Sequence, residues 1–175
     1  RCACLKDAAS FWEGATGRIV LKPDDSSGSR GVTILDADAD ENAFMAAYRH
    51  ALSYSRIGLV CAESFLDGFE VGGDAFLMNG ELIHCSITCK HLEGVLVRGH
   101  SLPGQLRAED VHRVKAELER VAAGLGYGSG PMNFDVMVAP KTVTALEMGL
   151  RTGGNGITEC IYYSEGVDLI QWVLD

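Results

Sequence analysis

The sequence predicts an α+β fold, and three observations carry that reading. Short β-rich runs outnumber helical stretches, the two kinds lack the regular alternation of a doubly wound parallel sheet, and turn signals join neighbouring runs as hairpins. The β-rich runs fall at 18–22, 31–35, 57–64, 69–78, 81–89, 132–139 and 143–148. Asn79-Gly80 separates two of them as a hairpin turn would, and Pro140-Lys141 divides the last pair. Helical spacing governs 39–55, where Phe44, Ala47, Tyr48 and Ala51 recur on one face. It also governs 108–124, through Val111, Val114, Leu118 and Val121. Residues 8–14, 156–163 and 166–174 carry weaker helical patterns, and no internal repeat or low-complexity tract is present.

A chain of 175 residues, 47% hydrophobic and 22% charged, has enough apolar side chains for a sizeable core, which excludes intrinsic disorder and collagen-like repeats. Lys and Arg total 15 against 24 for Asp and Glu, and the formal charge of -9 repels a phosphate backbone, so no nucleic-acid partner is expected. No apolar run approaches the roughly 20 residues of a membrane helix. Even GLVCAESFL is interrupted by Glu63, so no membrane partner is expected either. The chain begins at Arg1 within strand-like text and without a leader pattern, which reads as a piece of a longer protein. Cysteines 2, 4, 61, 85, 89 and 160 lie mostly within apolar patterns and read as reduced thiols of a cytoplasmic protein. A zinc site from His84, Cys85, Cys89 and His91 is the alternative; it lacks a C-x-x-C, and residues 84–89 alternate faces as a strand.

Glycines cluster at SSGSRG (26–31), GFEVGG (68–73), GYGSG (126–130) and GLRTGGNG (149–156). A break near Glu63–Asp67 predicts a smaller part, 1–62, holding the SSGSRG loop, and a larger part, 63–175, holding the acidic residues.

Four constellations could carry chemistry. Lys22 precedes DDSSGSRGV, a flexible loop whose amides and hydroxyls can wrap phosphate oxygens or simply join two strands; GxxxxGK[ST] is absent. Glu63-Ser64-Phe65-Leu66 and Glu70 place carboxylates and backbone groups where an adenine amino group and ribose hydroxyls could bond, with a solvated strand end as the alternative. Asp135 and Glu147, in NFDVMV and TALEMG, can face each other across a hairpin and hold a hard cation, or pair with Arg, or lie exposed. Arg151 with Gly153, Gly154 and Asn155 joins a guanidinium to a backbone that a second substrate can approach; alone it is an Arg in a loop.

The order IVLKPDDSSGSRGV, AESFLDGFE, GPMNFDVMV and ALEMGLRTGGNGI resembles the ATP-grasp superfamily, particularly its carboxylate-amine ligase branch, along nearly the whole chain. The step of seven from Glu63 to Glu70 is similar to that of D-alanine-D-alanine ligases, and the step of twelve from Asp135 to Glu147 to that of biotin carboxylase. The resemblance implies a small lid subdomain and a larger antiparallel-sheet subdomain, preceded in the family by an N-terminal domain that would lie before Arg1. It implies ATP and Mg²⁺ as cofactors. Lys22 and the loop with Ser27, Gly28 and Ser29 would hold phosphates, Glu63 and the backbone of Ser64 and Leu66 adenine, and Glu70 ribose. Asp135 and Glu147 would hold the metal, and Arg151 would stabilise an acyl phosphate.

The implied activity is ATP-dependent activation of a small carboxylic acid for attack by an amine, with an amino-acid or peptide ligase leading. This chain would be a fragment, inactive without its N-terminal domain. A carboxylase-like enzyme using bicarbonate and a non-catalytic nucleotide-binding regulatory module are the alternatives. Arg98 and His100, in VRGHSLPG, stand where related ligases shape the second-substrate pocket, with a surface loop as the plain alternative. Where the family pattern E-x-N-x-R has Asn, this chain has Gly149, so one metal contact falls to water or another group, Asn133 being the candidate.

Overall fold

The structure, a computed structural model, describes residues Arg1–Asp175. It divides into two units, Arg1–Leu66 with Glu93–Val97, and Asp67–Leu92 with Arg98–Asp175. The division falls after Leu66 rather than between 62 and 63, because the strand carrying Glu63 and Ser64 stays paired within the first sheet.

The first unit is a three-stranded antiparallel sheet in the order β2-β1-β3, built from β1 (Ile19–Pro23), β2 (Thr33–Leu35) and β3 (Val60–Ser64). Two helices, α1 (Leu5–Gly14) and α2 (Glu41–Tyr54), bury their apolar residues with Ile19, Leu21, Leu35 and Val60 of the sheet. Phe44, Ala47, Tyr48 and Ala51 are all buried, the face that helical periodicity selects, and Trp12 stacks on Phe44 with ring centroids 4.6 Å apart. Asp40 caps α2 by accepting from the Ala43 amide at 2.8 Å.

The second unit is a five-stranded sheet, ordered β6-β5-β4-β7-β8, from β4 (Phe69–Met78), β5 (Glu81–Glu93), β6 (Leu96–Ser101), β7 (Gly130–Val138) and β8 (Val143–Gly149). Strand β6 is the element that sequence patterning missed: its residues Leu96 to Ser101 mix Gly, Arg and His and carry no period-2 apolar signal. Helix α3 (Ala108–Gly124) covers one face, burying Val114, Leu118 and Ala122 against Val71, Ala75, Met132, Phe134 and Val136. Its buried stripe runs through Asp110, Val114, Leu118 and Ala122, so Val121, expected on the core face, sits at its margin. The other face is covered at one end only, by α4 (Ile157–Glu165) and α5 (Leu169–Leu174), through Phe76, Ile157, Ile161, Leu169 and Trp172. The middle of that face carries Asp74, Ser86, Thr88, Asn133 and Asp135.

All six cysteines are free. His84 belongs to the polar face and Cys85 and Cys89 to the α3 face, so the alternative zinc quartet does not converge. Burial pushes the Cys85 thiol up to about 12. No helix is long and apolar enough to cross a membrane.

Candidate functional site

In the first unit, Lys22 Nζ lies 2.7 Å from Glu63 Oε2. Val20 is the register partner of Glu63 and Lys22 that of Cys61, so the two side chains meet on the diagonal across β1 and β3. Both are partly exposed. Beyond β1, the loop turns through Gly28, Ser29 and Gly31, all with positive φ. Its base is tied: Asp25 accepts from Ser55 Oγ at 2.7 Å and from the Arg56 amide at 3.0 Å, and those hydrogen bonds, opposed by burial, hold its carboxyl below the usual range. Gly31 is wedged against Pro23 and Tyr54, where a Cβ would stand 2.8 Å from Pro23 Cγ. The run 24–31, which composition marks as flexible throughout, is thus anchored at Asp25 and Gly31. Ser27, Gly28 and Arg30 between them are exposed. Arg30 donates to the Ser27 carbonyl at 3.0 Å. At the end of β3, the Phe65 amide donates to the Arg18 carbonyl at 2.9 Å, and the Arg18 guanidinium lies 3.9 Å from the Phe65 ring centre. That contact sets the course of the chain between exposed Ser64 and Leu66.

The second unit displays its chemistry in rows across the polar face. Directly opposed residues of an antiparallel pair share a face. Thr88, Gly72, Asp135 and Glu147 form one row; Ser86, Asp74, Asn133 and Gly149 form the next. Asp135 and Glu147 therefore face the same way across β7 and β8, beside a bulge that leaves Leu146 without a partner.

Beside the first row, two residues beyond Thr88 on β5, stands Lys90, whose side chain is 5% exposed and whose Nζ lies 2.6 Å from Glu70 Oε1 and 2.7 Å from Asp135 Oδ1. Burial opposes its charge, but Asp135 and Glu70 outweigh that cost and raise its pKa above the ordinary value. Gly72 makes the meeting possible: a Cβ there would lie 2.7 Å from Asp135 Oδ1 and 3.2 Å from Lys90 Cε. The charge partner of Asp135 in this structure is thus a lysine rather than the arginine weighed from sequence, while Glu147 is exposed. Lys90 escaped sequence reading because ITCKHLE holds no glycine or carboxylate cluster. Its signal was a lone cation in a strand otherwise reading as core.

Arg151 follows β8. Its amide donates to the Gly149 carbonyl at 2.8 Å, and its Nη1 to the Thr152 carbonyl at 2.6 Å. The side chain lies over Gly149, where a Cβ would sit 3.5 Å from Arg151 Cγ. Asn133, opposite Gly149, commits its amide nitrogen to the Gly73 carbonyl at 3.0 Å and to Asp74 Oδ1 at 2.9 Å, which leaves only its Oδ1 as a metal donor. Asp74 accepts from the Gly153 amide through both oxygens, and burial raises its carboxyl above the usual range despite those bonds. Gly154 and Asn155, the latter at φ 56°, lead into α4.

Arg98 and His100 share one face of β6 by strand alternation. Thr88 Oγ1 donates its one proton to the Gly72 carbonyl at 3.0 Å and so accepts from His100 Nδ1 at 2.8 Å, leaving His100 Nε2 as an acceptor. Burial, reinforced by Lys90, lowers the His100 pKa and favours that neutral form.

The donor set has the chemistry of a hard-cation site. No three His, Cys, Asp or Glu side chains converge on a cage, and two oxygen-donor carboxylates on one face leave the remaining positions to phosphate oxygens and water, as Mg²⁺ prefers.

The ATP-grasp domain family matches residues 16–159, most of the chain. Among solved structures, an L-amino acid ligase from Bacillus licheniformis is 24% identical with TM-score 0.74, over 95% of this chain and 40% of that one. A biotin carboxylase from Campylobacter jejuni, solved as a β,γ-ATP complex, is 19% identical with TM-score 0.79, over 98% of this chain and 39% of that one. A D-alanine–D-alanine ligase from Bacillus anthracis, solved with ATP, is 17% identical with TM-score 0.68, over 99% and 55%. The chain therefore spans between 39% and 55% of the length of these structures. No curated protein matches by sequence.

Proposed function

The chain belongs to the ATP-grasp family, and from that premise we propose that it is the nucleotide-binding and phosphoryl-transferring part of a ligase joining a small carboxylic acid to an amine. The observation that carries the reading is the single polar sheet face on which Asp135, Glu147, Glu70 and Lys90 are set in register beside the loop that bears Arg151.

Lys22 would leave Glu63 for a nucleotide phosphate, freeing the Glu63 carboxylate to accept from the adenine amino group. The backbone of Ser64 and Leu66 would complete that edge. Ser27, Gly28 and Ser29 would supply amides and hydroxyls over the phosphates. Glu70 would accept from ribose. Asp135 and Glu147 would hold Mg²⁺, which neutralises phosphate charge and orients the oxygens. With Asp135 so engaged, the Lys90 ammonium would turn to the transferring phosphate.

In the first step a carboxylate oxygen of the acid attacks the γ-phosphorus, the bond to the bridging oxygen breaks, and ADP leaves. In the second, the amine nitrogen attacks the acyl carbon, the carbon–oxygen bond to phosphate breaks, and the nitrogen loses a proton. Arg151 would stabilise oxyanion charge in both steps. His100 Nε2, Arg98 and the backbone at Gly153, Gly154 and Asn155 would receive the second substrate.

A nucleotide-binding module without turnover is favoured by one feature, Gly149, which removes an oxygen donor next to Glu147. Phosphate release from ATP by the full-length protein, with and without mixtures of L-amino acids, separates the two. Release that depends on an amino-acid pair supports the ligase; nucleotide binding without release supports the module. On this reading the isolated 175-residue chain binds Mg-ATP weakly and turns it over poorly, and robust ligation by it alone would contradict that expectation.

A further inference from the structure

Asp74 is a buried carboxylate on the polar face with no place in the proposed chemistry. Its residue is 1% exposed, so no substrate reaches it. An isolated buried carboxylate is costly, and its presence calls for partners that make it worthwhile. Those partners are the Gly153 amide, 2.9 Å from each of its oxygens, and Asn133 Nδ2 at 2.9 Å. Asn133 is its direct register partner across β4 and β7 and is itself held by the Gly73 carbonyl.

The loop that leaves β8 is otherwise held locally. Arg151 bonds back to the Gly149 carbonyl and forward to the Thr152 carbonyl, and the Ile157 amide bonds to the Gly154 carbonyl. Gly153 packs closely on this pair: a Cβ would lie 2.7 Å from Asp74 Oδ1, 2.9 Å from Asn133 Nδ2 and 3.1 Å from Ile157 Cδ1, so a side chain there would displace them. Two residues before this tie is Arg151, whose guanidinium lies close enough to Asp74 to favour its ionised form.

We propose that Asp74 is a positioning residue which, by gripping the Gly153 amide, fixes the loop from Thr152 to Gly154 against the sheet and thereby sets where the Arg151 guanidinium stands. The role of Arg151 toward phosphate rests on the proposed function; the hold on the loop does not.

The test uses the full-length protein. In the wild type, the Gly153 amide should exchange hydrogen at least about tenfold more slowly than that of Gly154, and in Asp74→Asn it should lose that protection. Binding of Mg-ADP alone should stay within about twofold, because Lys22, Glu63, Glu70, Asp135 and Glu147 are untouched. Aluminium fluoride, a mimic of the transferring phosphoryl group, should tighten ADP binding in the wild type and lose about tenfold or more of that gain in Asp74→Asn and in Arg151→Ala alike, with no further loss in the double variant. The exchange of acid and amide, Asp74→Asn with Asn133→Asp, keeps a carboxylate beside Gly153 and should recover part of the gain.

A Gly153 amide that exchanges as fast as Gly154 in the wild type overturns the proposal without any variant. Retention of the fluoride-dependent gain in Asp74→Asn, when Arg151→Ala abolishes it, overturns the positioning of Arg151. Retention in Arg151→Ala itself overturns instead the phosphate-facing role of Arg151, and the exchange measurement then decides the hold of Asp74 by itself.

Discussion

Lys90 Nζ stands 2.7 Å from Asp135 Oδ1 and 2.6 Å from Glu70 Oε1, so one buried ammonium neutralises two carboxylates, one proposed to hold the metal and the other to meet ribose. Removing one partner of a buried ion pair costs about 3–5 kcal/mol, and solvent screening of the partly exposed carboxylates reduces that to about 1–3 kcal/mol here. Lys90→Met should destabilise the nucleotide-free protein by that amount, and millimolar Mg²⁺ should recover part of the loss by taking over the charge. Thermal unfolding with and without Mg²⁺ measures both. Unchanged stability would remove Lys90 from the electrostatic centre of the face.

The loop after β1 should behave as a tethered flap rather than a uniformly mobile run. Asp25 and Gly31 anchor its ends, whereas Ser27, Gly28 and Arg30 are exposed. Hydrogen exchange at 26–30 should be fast without nucleotide and slow on adding ATP, while the Asp24 amide, bonded to the Leu59 carbonyl at 3.1 Å, stays protected in both states. Equal protection of 26–30 with and without ATP would make it a rigid turn unconnected with phosphate.

Much of this was legible in the sequence, for identifiable reasons. Phe44, Ala47, Tyr48 and Ala51 announce α2 because its whole apolar face is buried against one sheet, and Asn79-Gly80 announces the β4–β5 hairpin through its turn chemistry. The spacing of Asp135 and Glu147 across Pro140-Lys141 gave their common face once the hairpin register held, although the bulge at Leu146 was needed to bring them directly opposite. What stayed hidden arises from tertiary neighbours. Asp74 and Lys90 lie in runs otherwise reading as core strands, and each is meaningful only through partners 79 and 45 positions away, Gly153 and Asp135. Strand β6 is recruited by pairing with β5 rather than by its own pattern.

Acid sensitivity should come in part from His84. Burial lowers its pKa, with Glu165 opposing, while its Nε2 lies 2.7 Å from Ser86 Oγ, which itself donates to Glu165, and its ring packs edge-on against Trp172. A His depressed in the folded state is neutral in both states above its ordinary value of about 6.5. Below that value the unfolded chain takes up a proton first, so stability present above about pH 6.5 is lost as pH falls toward the folded value. His84→Gln should be less stable at pH 8 yet show a shallower decline between about pH 6.5 and 5. Parallel pH profiles for the two proteins would assign the acid response elsewhere.

Whether Asp135 and Glu147 jointly hold the cation of a bound nucleotide is decided by calorimetric titration of ADP into the full-length protein with and without Mg²⁺, for the wild type, Asp135→Asn and Glu147→Gln. Mg²⁺ should tighten ADP binding in the wild type by about tenfold or more, a charge-assisted contact being worth about 1.5–3 kcal/mol, and either variant should lose this gain while its metal-free ADP affinity stays within about threefold. A full Mg²⁺-dependent gain in both variants would contradict that joint hold and move the metal away from β7 and β8.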